Sequence, residues 1–139
     1  VASGGRTAYR AEAIESERFD EFLPGYTLAE DVEFSYRVAK TWSILQSPDC
    51  RLFHKRSPTS RVDYGDRVSR LIYSRYYFFK KHLPKDATHV TAWVWSNIGI
   101  TGLYLAVAAQ KSGDRMGIVR GVARGYRRCL ANLAGRPPR

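Results

Sequence analysis

The chain has 139 residues, 44% of them apolar, and 23 Lys/Arg against 13 Asp/Glu give a formal net charge of +10. That length allows one ordinary core, since domains commonly run to roughly 100–150 residues, and the apolar content excludes a disordered chain. Cys50 and Cys129 lie far apart and match no metal-ligand spacing, which suits a reduced cytosolic setting.

The charge is unevenly placed. Residues 1–50 hold 5 basic against 9 acidic side chains, residues 51–85 hold 10 against 2, and residues 111–139 hold 8 against 1. Basic blocks of this kind suit phosphate, whether in nucleotides, nucleic acid or anionic lipid. The first residues, "VASGGRTAYR", include no initiator Met, basic n-region or apolar h-region. A signal peptide is therefore not expected, and the chain reads as beginning inside a larger domain.

In chain order, residues 1–10 read as a short strand or loop with a Gly4-Gly5 turn, entering a helix for which Thr7 is the candidate cap. Pro24-Gly25 marks a turn before a helix from Glu30 to Lys40. The carboxylates Glu30, Asp31 and Glu33 fall in its first turn, where free N–H groups and a partial positive charge favour anions. Read by itself, that cluster is helix capping plus a solvated face.

The stretch "TWSILQSPDCRLFHKR" reads as a strand or hairpin, with Ser47-Pro48-Asp49 turning between Ile44-Leu45 and Leu52-Phe53. A polar loop follows. Asp66 is the candidate cap of a helix running to about Leu83, with Val68, Leu71, Ile72, Phe78 and Phe79 as its apolar side, and Pro84 stops it. Ala92 to Ala109 is free of charge and slightly short of the ~20 residues of a membrane span, so a buried or interfacial helix is expected there. The last helix repeats Met116, Val119, Ala123, Tyr126, Leu130 and Leu133 at helical spacing. Its glycines at 117, 121 and 125 leave a groove for close approach, expected to pack on the 92–109 helix.

The succession "GGRTAYRAEAI", "RFDEFLPGYTLAEDVEFSYRV" and "LFHKRSPTSR" resembles the carboxy-terminal half of family 2 glycosyltransferases, inverting enzymes of the GT-A fold. The match covers Ser3 to about Lys81 and is strongest from Phe19 to Arg37. It departs from the family at Glu17-Arg18, where a glycine pair is usual, and at Lys40-Thr41, where a glycine is usual. The resemblance implies an α/β fold, the carboxy-terminal part of a GT-A domain, mostly helical here with a short antiparallel hairpin. It divides the chain into residues 1–83, the acceptor-side half of the catalytic domain, and residues 84–139, a helical segment able to associate with a membrane.

The resemblance also implies a chemistry. Asp31 would be the general base that takes the acceptor hydroxyl's proton, with Glu30 orienting the site. Arg37 would hold its helix by ion pairing, and Glu33 would only be solvated. Arg6, Thr7, Tyr9 and Arg10 would lie beneath donor and acceptor sugars, and Arg56 and Arg61 would face phosphate. His54 would ligate a divalent metal, Mg or Mn, in the full-length enzyme. Read without the family, Tyr9 is a packed aromatic, Arg10 a surface charge, His54 a structural histidine, and Arg56 and Arg61 are solvated charges.

The implied function is sugar transfer from a nucleotide-sugar to a glycan or lipid-linked hydroxyl in polysaccharide biosynthesis. It would take place at the cytoplasmic face of the cell membrane, and this fragment alone would be inactive. The alternative is a basic module that binds nucleic acid or an anionic membrane surface without catalysis. The consecutive aromatics Tyr76 to Phe79 argue against nucleic acid, because most of them should be core.

Overall fold

A computed structural model describes residues 7–20, 29–53, 63–110 and 115–135. The described residues form helices α1 (Ala11–Ser16), α2 (Glu30–Val38), α3 (Tyr64–His82), α4 (Ala87–Gln110) and α5 (Arg115–Leu133), and no strand. They divide into two compact units, Val1–Arg61 and Val62–Arg139.

The α/β GT-A fold with an antiparallel hairpin is thereby overturned: what forms among the described residues is helical. The turn at Pro48–Asp49 is present, but the segments on either side of it do not pair. Leu45 is 90% exposed and Phe53 98%. With no second strand to take its N–H and C=O groups and no apolar face to cover, alternation alone does not make a strand.

In the first unit, Phe34 of α2 is fully buried with Ala13 and Val38, and Tyr9 and Trp42 pack against this cluster. Tyr9 meets Phe34 edge-on at 5.0 Å between ring centroids, and Phe19 stacks on it at 4.2 Å. Helix α1 begins later than the sequence suggests. Arg10 rather than Thr7 is the capping residue, its carbonyl accepting from the N–H groups of Ala13 and Ile14.

In the second unit, Asp63 rather than Asp66 caps α3, its carboxylate accepting from the Asp66 N–H at 3.1 Å. Val68, Ile72, Tyr73, Tyr76 and Phe79 form the buried side of α3. Helix α4 starts at Asp86, whose carboxylate accepts from the His89 N–H at 2.9 Å.

The glycines of α5 face α3, not α4. A Cβ on Gly121 would lie 2.2 Å from the Gly65 carbonyl oxygen, and one on Gly125 would lie 2.9 Å from Ile72 Cβ. Further along, Tyr76 and Lys80 of α3 both reach Asn132 Oδ1 of α5, at 3.3 and 2.8 Å. These contacts advance together along both helices, so α3 and α5 run parallel at backbone contact. Trp93 of α4 stacks on Phe79 at 5.0 Å, and Thr101 meets the Tyr126 hydroxyl at 2.7 Å, which sets α4 antiparallel to both.

A second expectation fails on α5. Its buried side is Ile118, Gly121, Val122, Gly125 and Cys129, whereas Met116, Val119, Leu130 and Leu133 are exposed. The helical stripe of large apolar residues thus points outward, because the close α3 contact selects glycines and small side chains for the inner face.

Candidate functional site

The first turn of α2 carries three carboxylates, and the fold treats them differently. Glu33 is 2% exposed. Arg37, one turn on, donates from Nε to Glu33 Oε1 at 2.9 Å and from its other arm to Oε2 at 3.0 Å. Arg37 also reaches the Glu17 carboxylate and the Arg18 carbonyl, tying the chain beyond α1 to α2. The expectation of ion pairing by Arg37 agrees with this arrangement. The expectation of a solvated Glu33 does not: burial of the neighbouring Phe34 and Ser35 draws Glu33 inward, and the i,i+4 arginine neutralises it.

Glu30 and Asp31 lie outside that clamp. Asp31 Oδ1 accepts from the Val32 N–H at 2.9 Å, using a donor that the helix start leaves unpaired and fixing the carboxylate's position. Burial raises the Glu30 carboxyl above its ordinary value of 4.5, and the neighbouring charge of Asp31 adds to that rise. Glu30 Oε2 is shut away from solvent with no hydrogen-bond partner among the described residues.

Tyr9 completes the cluster. Its ring is held edge-on by Phe34, one turn beyond Glu30. Its hydroxyl is raised in pKa by burial and then by the charge of Asp31, while the Thr7 side chain opposes the rise. The structure thus brings Thr7, Tyr9, Glu30 and Asp31 together. Arg10 is exposed at the start of α1, and no contact joins it to the carboxylates among the described residues. Arg6, His54, Arg56 and Arg61 lie outside the described residues.

The residue entering the cluster is unusual. Ala29 caps α2 with φ 84° and ψ 19°, in the left-handed region, and makes no side-chain cap bond. A Cβ in that region costs roughly 1–2 kcal/mol, and such strain concentrates where geometry is fixed for function. Sequence reading missed this residue, since alanine gives no sign of a left-handed backbone.

A divalent metal needs several converging oxygen or nitrogen ligands. Among the described residues no group of three or more His, Cys, Asp or Glu could hold one. The adjacent Glu30 and Asp31 supply two carboxylates and no third ligand, so these residues by themselves do not fit a metal site.

Compared with family models, with curated proteins and with solved structures, the chain matches none.

Proposed function

We propose that the first unit supplies the acceptor-activating carboxylates of an inverting sugar transferase that uses a nucleotide-sugar donor. The sorting of the three carboxylates carries this reading. Glu33 is committed to Arg37 inside the protein, while Glu30 and Asp31 stand together at the helix start beside a tyrosine hydroxyl. The resemblance of "FDEFLPGYTLAED" to the inverting transferases supports the same division.

In the proposed step, Asp31 takes the proton of the acceptor hydroxyl as that oxygen attacks the anomeric carbon. The bond to the nucleoside diphosphate breaks, its electron pair leaves with the diphosphate, and the configuration at the anomeric carbon inverts. Glu30 positions the acceptor, and Tyr9 closes the site on its apolar side. No step in this scheme runs through a metal.

The test is transfer by the native-length protein. Asp31→Asn should lower turnover by about 10²–10⁴-fold, the usual worth of a general base, with donor affinity little changed. Near-normal turnover in that variant would overturn the assignment.

A further inference from the structure

Helix α4 is apolar on every side, yet among its residues only Asn97 and Ala108 are buried. Its protein-facing side sets Trp93, Ile100, Tyr104 and Ala108 beside two polar residues: Asn97, which is buried and donates from Nδ2 to the Trp93 carbonyl at 2.7 Å, and Thr101, which meets Tyr126 at 2.7 Å. Ser96 takes a hydrogen bond from Arg75 of α3. Its outward side is apolar: Trp95 is 76% exposed and Leu103 61%, with Val94, Ile98 and Leu105 also exposed. An amphipathic helix of a water-soluble core turns a polar side to the solvent. A helix that is apolar all round and largely uncovered suits contact with lipid.

Helix α5 extends that face. At about 100° per residue, Val119, Ala123 and Leu130 lie next to Tyr126, which touches α4, and Arg120 and Arg127 lie on the adjoining arc. Val119 and Leu130 are exposed, as are both arginines. An apolar strip edged by arginine is the pattern of a helix lying at a membrane surface. Charge names the surface: residues 62–139 hold 14 Lys/Arg against 4 Asp/Glu, which is the whole excess of the chain.

We infer that α4 and the outer arc of α5 form one face that lies in the interface of an anionic bilayer. Helix α4 is long enough and sufficiently free of charge to cross a membrane. It lies flat instead, because its inner side is bonded to α3 and α5, and crossing would carry their arginines into hydrocarbon. A second copy of the chain is the poorer occupant, since it would set the arginine edges of the two copies against each other, whereas anionic headgroups complement them.

The inference goes beyond the transfer reading and stands without it: loss of membrane binding would leave the Asp31 test untouched. The experiment is flotation of the full chain with vesicles of phosphatidylcholine alone and with about one part in three of phosphatidylglycerol. Wild type should float with the anionic vesicles and stay in solution with the neutral ones. Ile98→Glu/Leu105→Glu should reduce binding at least about tenfold while keeping its helical circular dichroism. Should that variant lose its helicity, lipid with brominated chains decides. It should quench wild-type tryptophan fluorescence, and Trp95→Phe should remove most of the quenching. Wild type remaining in solution with anionic vesicles, full flotation of the folded double variant, or quenching unchanged by Trp95→Phe would each overturn the proposal. So would a solution dimer that the double variant abolishes.

Discussion

Arg37 grips Glu33 with two arms, at 2.9 and 3.0 Å, inside the packing of Phe34 and Val38. Removing one partner of such a buried pair strands the other charge and costs about 3–5 kcal/mol. Arg37→Met should therefore strongly lower the stability of the first unit, followed by Trp42 fluorescence in denaturant. The double variant Glu33→Met/Arg37→Met should recover most of the loss, because it leaves no buried charge unpaired and Glu17, a third exposed, can turn to solvent. Equal stability of Arg37→Met and wild type would show that the pair is not needed.

The parallel α3–α5 packing makes a sharp prediction about glycines. Gly121→Ala would place a methyl 2.2 Å from the Gly65 carbonyl oxygen, and backbone cannot step aside as a flexible side chain can. The helices must separate, at about 1–3 kcal/mol or more. Gly102→Ala in α4 meets nothing within 4 Å and should instead stabilise by about 0.5–1 kcal/mol through helix propensity. Thermal melts of the two variants should shift in opposite directions.

The long helices were readable because their stop signals are strong and local. Pro84 ends α3, which closes at His82 beside the expected Leu83, whereas α4 starts at Asp86, ahead of the expected Ala92. The α5 glycines were readable as a groove but not as to partner, since spacing shows that a helix can come close without showing which one. The hairpin failed for a related reason: alternating apolar residues state a willingness to pair, and pairing needs a second strand. At the site, the acidic turn was legible as a cluster. Its division into a buried clamp and an outer pair depended on Phe34 drawing Glu33 inward, a tertiary effect.

Ala29 supplies an independent check on the entry to α2. Its φ of 84° disfavours any side chain, so Ala29→Gly should stabilise the first unit by about 1 kcal/mol. Denaturant titration of the two proteins would measure the difference. A loss of stability would mean that this backbone is not left-handed in solution.

The two cysteines should separate cleanly in labelling. Both thiols are free; Cys50 is exposed, while Cys129 is buried and burial pushes its thiol up to about 11. At about pH 8 the thiolate of Cys129 is scarce and shielded, so iodoacetamide should modify Cys50 alone until denaturant is added. Mass spectrometry of the native protein would show one adduct. Rapid double labelling would show that the α3–α5 contact opens readily.

Glu30 links site chemistry to stability. Its folded carboxyl is raised above the ordinary 4.5 by burial and by Asp31, so the folded state holds its proton more tightly than the unfolded chain. A raised group contributes stability in full below its unfolded value and loses it as pH climbs through the folded one. At about pH 7 the ionised Glu30 therefore weakens the fold, and Glu30→Gln should raise the denaturation midpoint there. The gain should fade as pH falls towards about 4, where the native glutamate is itself protonated. In the native-length protein the same substitution should lower transfer less than Asp31→Asn, as expected of a positioning residue. A variant more stable at neutral pH and also poorer in transfer would show that the chain keeps an unfavourable charge at this helix start for its chemistry. A midpoint difference that did not depend on pH would remove the electrostatic argument.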